Sequence, residues 1–152
     1  MLIRAYAESD QSAVIGLWEE CGLLRPWNDP VRDIARKLAV QPELFLVGLV
    51  GDAPVATVMA GYEGHRGWVN YLAVSPAHQR RGLAALLMQR VEELLQARGC
   101  PKLNLQVRAG NAAAVQFYRR LGYVEDPVIS LGKRLIHDQA VEAGSWLPAK
   151  PR

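Results

Sequence analysis

The stretch that most constrains this chain is residues 71–98, YLAVSPAHQRRGLAALLMQRVEELLQAR. Its first four residues are of strand type, Ser75 and Pro76 turn the chain, and a basic loop with one glycine, Gly82, leads into a long amphipathic segment. Leu83, Leu87, Val91 and Leu94/Leu95 recur at three- and four-residue steps, which is one face of an α-helix. A strand running through such a loop into a helix presents backbone N–H groups that lack intrahelical acceptors, backed by the positive end of the helix dipole. That is an anion site, and most naturally a phosphate site.

The flanking sequence supplies the rest of a sheet. Residues 1–6 alternate as a first strand. Ser9 or Asp10 can cap a helix in which Val14, Leu17, Trp18 and Cys21 share a face and which ends at Gly22. A loop closed by Pro26 and Pro30 precedes a second helix at 31–39. Residues 44–50 and 55–62 read as an antiparallel hairpin turned at Gly51-Asp52, and EGHRG at 63–67 turns the chain again into a strand at 68–74. After the central helix come a half-buried strand at 102–107, a short helix at 112–121 opened by Gly110-Asn111, and a last strand at 128–136. The order predicts an α/β fold: a mixed sheet with helices against it, in a single domain over residues 1–138 followed by a mobile tail, 139–152. The strand–helix–strand unit at 68–107 predicts a right-handed parallel crossover, with loop 79–84 at the C-terminal end of a strand, where such sheets bind ligands.

Composition narrows the function. A net charge of +3 with scattered arginines and no basic run interleaved with aromatics argues against nucleic acid. No apolar run approaches the ~18 residues of a membrane span, and the N-terminus lacks the apolar core of a secretory signal, so a cytoplasmic location is expected. Cys21 and Cys100 have neither CxxC spacing nor a disulfide pattern. There is no GxxxxGK[ST], no GxGxxG after a strand, no HExxH and no GxSxG, which speaks against P-loop, dinucleotide, zinc and serine-hydrolase chemistry. No metal is expected. A phosphate-bearing small ligand remains.

Three landmarks in order then resemble the GNAT N-acetyltransferase superfamily: the strand YLAV at 71–74, QRRGLA at 79–84 against the signature [Q/R]xxGx[G/A], and Asn111 followed by FYRRLGY at 117–123. The resemblance spans roughly residues 1–137. LLRPWNDP at 23–30, GYEGHRG at 61–67 and LGKRLI at 131–136 look more narrowly like the YpeA-type bacterial branch. It implies the GNAT fold, a central splayed mixed sheet flanked by helices, and acetyl-CoA as cosubstrate.

The resemblance also implies roles. Gln79, Arg80, Arg81, Gly82, Leu83, Ala84 and Ala85 would meet the pyrophosphate, chiefly through backbone N–H groups. The strand Leu72, Ala73 and Val74 would pair with the pantetheine arm through the backbone of Leu72 and Val74, and the Val74 N–H would polarise the thioester carbonyl. Asn111 would cap its helix and touch the cofactor, and Tyr118 would protonate the departing thiolate. Arg25, Trp27 and Asn28 lie where related proteins roof the acceptor site. For a general base, the ribosomal-protein enzymes carry a glutamate in the run LEVRASN; here the run is LQVRAGN, and Gln106 replaces it. Histone-type enzymes place theirs where Trp68 falls. Glu63 is the remaining carboxylate expected to serve as base or to bind a cationic acceptor, with His65 behind it. The expected reaction is direct acetyl transfer to a primary amine, small or amino-acid-like by preference. A protein N-terminal acetyltransferase and a non-catalytic acyl-CoA sensor are the alternatives, and a homodimer is compatible with either.

Overall fold

The alternation of apolar residues in the central strands divides the molecule into two cores. The computed structural model describes residues 1–138. In it β1 (Leu2–Ala5), β2 (Phe45–Val50), β3 (Ala53–Tyr62), β4 (Gly67–Val74) and β5 (Leu103–Leu105) lie side by side in that order, antiparallel except for the β4–β5 pair. Phe45, Val47 and Leu49 project to one face, against Val14 and Trp18 of α1 (Gln11–Glu20) and Ile34 of α2 (Pro30–Leu38). Leu46, Ala56, Val58 and Ala60 project to the other, against Leu87, Met88, Val91 and Leu95 of α3 (Leu83–Ala97). Central strands buried on both faces read as nearly continuous apolar runs, as these do. Each fully buried side chain of this kind contributes about 1.5–3 kcal/mol, so the two cores dominate the stability.

The helix ends follow local chemistry. Asp29 caps α2 by accepting from the N–H groups of Val31 (2.9 Å) and Arg32 (3.3 Å), with Pro30 in the first helical position. Asn111 caps α4 (Ala112–Arg120) through the Ala114 N–H at 3.1 Å. Asp10 precedes α1, but its carboxylate leaves the helix and takes the Arg4 guanidinium at 2.7 and 3.0 Å and the Ala7 N–H at 2.9 Å. The paired Arg4 cation outcompetes a capping role for that side chain.

One irregularity shapes the site. Thr57 pairs with Ala73 and Met59 with Asn70, so Tyr71 and Leu72 of β4 together oppose Val58. This is a β-bulge, with Tyr71 at φ 53°. Its carbonyl is held by Thr57, which is fully buried: the Thr57 hydroxyl donates to the Tyr71 C=O at 2.8 Å and accepts from Trp18 Nε1–H at 2.9 Å. The Tyr71 ring stacks on Trp18, with centroids 3.9 Å apart, and its hydroxyl donates to Asp33 at 2.7 Å. The parallel ladder covers Gly67–Val69 with Leu103–Leu105 and stops before the bulge. Beyond it β4 and β5 are no longer paired, and the sheet has a gap.

The last expected strand requires correction. Residues 128–136 belong to no strand; they run as an arm beside β5 that is held by side chains, Lys102 to Asp126 at 2.8 Å and Gln106 to Ser130. β5 is only three residues long and offers a minimal edge, so a strand-like sequence finds no ladder to join among the described residues. The expected tail at 139–152 lies outside them.

Two outcomes are expected. Thr57→Val orphans both the Trp18 indole N–H and the Tyr71 carbonyl, and should cost about 2–4 kcal/mol in urea unfolding; a loss under about 1 kcal/mol would mean the bulge holds itself. Asp138 accepts from Arg36 at 2.6 Å and from the Asp29 N–H at 2.8 Å, and this guanidinium bond lowers its pKa to about 2. An unfolded aspartate takes its proton near ~3.9, so this stabilisation is complete above about pH 4 and disappears as pH falls toward about 2. The melting temperature should drop through that window, and less steeply in Asp138→Asn.

Candidate active site

The site is built from the end of β4, the start of α3 and the helix α4. The Ser75 N–H bonds to the Val55 carbonyl on the β3 side at 2.8 Å. By strand alternation the N–H and C=O of Val74 point the other way, into the gap. The Val74 carbonyl accepts from the Gln79 carboxamide at 3.0 Å and from the Cys21 thiol at 3.3 Å. Its N–H has no hydrogen-bond partner among the described residues. Gln79 thus ties the loop to the strand. Ala73 is buried and its backbone lies in register with Thr57 of β3, so only Leu72 and Val74 of the expected trio are free to serve the gap.

The loop has the geometry of an anion cradle. Arg80 (φ 63°) and Gly82 (φ 76°) both adopt left-handed backbone conformations. Gly82 occupies the N-cap of α3 and no side chain caps that helix, so the first N–H groups of Leu83, Ala84 and Ala85 are left for an external acceptor. A Cβ built on Gly82 meets nothing within 4 Å. The glycine is therefore required by its φ, and a side chain there would project into the space before the helix. Arg80 and Arg81 are exposed and form no ion pair with the described residues, which adds positive charge to the cradle.

Tyr118, expected as the general acid, lies in α4. It packs on the same core as Leu72, Val74 and Leu105, edge-on to Phe117 (5.1 Å) and Tyr123 (5.7 Å). Burial pushes its pKa up to about 12. Its hydroxyl makes no hydrogen bond to the described residues, whereas the neighbouring Tyr123 hydroxyl is already committed to Glu92 at 2.5 Å. An unpartnered, half-buried phenol is a donor in search of an acceptor.

Of the residues expected to meet the acceptor, Arg25 and Asn28 close a tight turn that carries Trp27, with Asn28 N–H to Arg25 C=O at 3.1 Å. Arg25 spends its guanidinium on the carbonyls of Gly22 (2.7 Å) and Leu24 (3.0 Å), a structural role. Asn28 accepts from Arg134 at 3.0 Å. Trp27 is half-exposed, with the Arg108 guanidinium 6.0 Å from its ring centroid. Arg108 was not anticipated from sequence, because the contact joins residues 81 positions apart.

Glu63 is not brought to this site. It lies in the turn before Gly67, at the opposite end of β4 from Val74, and the eight-residue strand separates them by about 23 Å at ~3.3 Å per residue. Its carboxylate accepts the backbone N–H groups of Arg66 and His65, which hold its pKa below the usual value. It closes a turn, and His65 shares that turn. Gln106, in the position of the expected base, spends its carboxamide on Ser130. Among the described residues no group of His, Cys, Asp and Glu could hold a metal, and no helix is long and apolar enough to cross a membrane.

A mixed sheet splayed at a bulge, with a bare helix N-terminus at one end of the gap and a free phenol beside it, defines an acyltransferase architecture. The chain belongs to the Acetyltransferase (GNAT) family, which it matches over residues 12–123. It is 55% identical over 139 residues to an acetyltransferase of Yersinia enterocolitica, covering 91% of this chain and 99% of that protein. To an acetyltransferase of Sodalis glossinidius it is 52% identical over 140 residues, with the same coverage. Among solved structures, the aminoglycoside 6'-N-acetyltransferase of Acinetobacter haemolyticus superposes with a TM-score of 0.71 at 19% identity, covering 90% of this chain and 100% of that one. The ribosomal-protein-S18-alanine N-acetyltransferase of Escherichia coli gives 0.70 at 24% identity, covering 82% and 78%. These last two share the fold, and their acceptors differ.

Glu63→Gln should leave both turnover and the pH–rate profile unchanged. A displaced acidic limb in that variant would restore Glu63 as a base.

Proposed function

We propose that the protein moves the acetyl group of acetyl-CoA directly to a primary amine, with a small, amino-acid-like acceptor. The observation that carries the reading is the gap itself: the unpartnered Val74 N–H at its mouth, the uncapped α3 N-terminus beyond it, and the free Tyr118 hydroxyl on the adjoining core. Leu72 and Val74 supply backbone groups for an extended pantetheine arm, and the N–H groups of Leu83, Ala84 and Ala85 take the pyrophosphate with help from Arg80 and Arg81. Solved relatives of this fold include NatC bound to a Gag peptide and CoA and an aminoglycoside acetyltransferase with a CoA-linked bisubstrate analogue, so the fold accommodates coenzyme A and both kinds of acceptor.

The chemistry follows from these groups. The neutral amine nitrogen bonds to the thioester carbon, and the carbonyl oxygen takes the developing charge and is met by the Val74 N–H. Such a donor contributes about 3–4 kcal/mol to the transition state. The C–S bond then breaks and the sulfur takes the proton of Tyr118, while the nitrogen loses its surplus proton to water, from which the Tyr118 phenolate is reprotonated. Giving a proton from the buried phenol of pKa about 12 to a thiolate at its ordinary ~8.5 is uphill by about 5 kcal/mol. The same apolar surroundings that raise the phenol also disfavour a bare thiolate, so the two shifts offset each other. No carboxylate acts as base in this scheme, and the acceptor must arrive deprotonated.

Arg108 supports the small-acceptor reading. Its guanidinium stands over Trp27 and forms no ion pair with the described residues, so it is available to a carboxylate of an amino-acid-like substrate. A peptide acceptor has no such group beside its N-terminal amine.

Thiol release from acetyl-CoA over a panel of acceptors tests the proposal. Tyr118→Phe should lower kcat by about 100-fold or more, in the range general-acid catalysis supplies, with coenzyme A affinity nearly unchanged. Wild-type kcat in that variant would remove Tyr118 from the mechanism. kcat/KM should climb with pH as the amine deprotonates and show no alkaline limb from Tyr118 below about pH 11, because the phenol holds its proton to about 12. Gly82→Glu should abolish coenzyme A binding; retained affinity would place the phosphates elsewhere.

A further inference from the structure

Two tyrosines adjoin the gap, and their hydroxyls have opposite character. Tyr118 packs with Leu72 and Val74 in the core beneath α3, and its proton is uncommitted among the described residues. Tyr71 packs in the other core, against α1 and α2, and its hydroxyl gives its proton to Asp33 at 2.7 Å. A phenol has one proton and two lone pairs. With the proton spent, the Tyr71 oxygen can only accept, and no described residue donates to it. Asp33 is itself fixed. Its other oxygen takes the Arg36 guanidinium at 3.1 Å, and its backbone N–H bonds to the Asp29 C=O at 2.9 Å in the first turn of α2. Burial, and after it the Asp33 hydrogen bond, push the Tyr71 pKa up, so the phenol keeps its proton.

The bulge puts Tyr71 where a substrate could reach it. Val69 is the last residue of β4 in the parallel ladder, and Tyr71 stands two residues beyond it, with φ 53°. A bulky residue held in the left-handed region is strained, and such strain gathers at functional sites. The Tyr71 carbonyl is tied to Thr57 and the ring is stacked on Trp18, so backbone and ring are held without help from the hydroxyl. The Trp27 turn runs through Asn28 into the Asp29 cap of α2. The Arg108 guanidinium over Trp27 and the Tyr71 oxygen at Asp33 therefore lie toward the same end of α2, one a donor and the other an acceptor.

We infer that the Tyr71 oxygen receives the amine of the acceptor, and that Asp33 is the positioning residue that keeps this oxygen a hydrogen-bond acceptor. The inference rests on the proposed transfer to a primary amine and gives the nucleophile its subsite. A neutral primary amine brings two N–H donors and one lone pair. One N–H bonds to Tyr71, and the lone pair attacks the thioester carbon from the α1 and α2 face of the gap, opposite Tyr118. As the N–C bond forms, the nitrogen gains positive charge. That charge strengthens its bond to Tyr71 and is favoured by the Asp33 carboxylate behind the phenol. The surplus proton still leaves to water, and Asp33 takes none. An acceptor that also carries a carboxylate presents it to Arg108.

Thiol release from acetyl-CoA tests this, with free α-amino acids, their amides and small primary amines as acceptors, beside calorimetric titration with coenzyme A. Tyr71→Phe keeps the ring on Trp18 and should lower kcat/KM for the acceptor about 10- to 100-fold, the range set by one hydrogen bond to a charged group. Coenzyme A affinity should be unchanged. Asp33→Asn should lower kcat/KM by a similar factor. The double variant should lose no more than Tyr71→Phe alone, because Asp33 acts only through Tyr71. Full kcat/KM in Tyr71→Phe, an equal loss of coenzyme A affinity, or additive losses in the double variant would each overturn the inference and leave amine transfer standing. No thiol release by the wild-type chain with any of these amines would remove the proposed function and the inference with it.

Discussion

Much of this molecule's architecture depends on one hydroxyl. Thr57 is buried in the centre of the sheet, accepting from the Trp18 indole and donating to the Tyr71 carbonyl. An unbonded carbonyl there would carry a penalty of about 1–3 kcal/mol, and an unbonded indole N–H a similar one. With both satisfied, the extra residue in β4 is stable, the strand turns, and its parallel ladder with β5 ends after Val69. Among the described residues, the gap that follows is where β4 exposes backbone groups without a neighbouring strand. Trp18 belongs to α1, so the helix that packs one face of the sheet also fixes the opening on its edge.

The two ends of that opening are chemically distinct. At one, α3 begins with a left-handed glycine and no side-chain cap, which suits phosphate. At the other, Val74 offers a single N–H, with its carbonyl already occupied by Gln79 and Cys21. In the proposed mechanism, a carbonyl left free beside that N–H would repel the developing oxyanion, and its occupation removes the conflict. Tyr118 adds a donor whose raised pKa keeps it protonated across the working range. The arrangement is a line of donors with few acceptors, which matches a substrate that is anionic at its far end and becomes anionic at its reacting end.

How much of this was legible in sequence depended on range. The stretch at 71–98 announced itself because strand, loop glycine and helical periodicity are local, and the Asn111 cap is read from its immediate neighbours. The bulge was not legible: it rests on Thr57, Tyr71 and Trp18, separated by up to 53 positions in chain order, and none has an unusual sequence setting. Glu63 was drawn to the site because it adjoins strands that face the acceptor, but adjacency does not tell which end of a strand a turn closes. The arm had a strand's alternation and lacked a ladder. Periodicity reports a preference for extended backbone, and a strand also needs an edge of sufficient length, which three-residue β5 does not give.

The account stands or falls on where acetyl-CoA lies along β4. Amide hydrogen exchange of the full chain with and without acetyl-CoA measures this directly. Protection is expected at Val74 and at Leu83, Ala84 and Ala85, with the Glu63 turn unaffected. Protection at the 63–67 turn, with Val74 and the first turn of α3 exchanging as in the free protein, would contradict it.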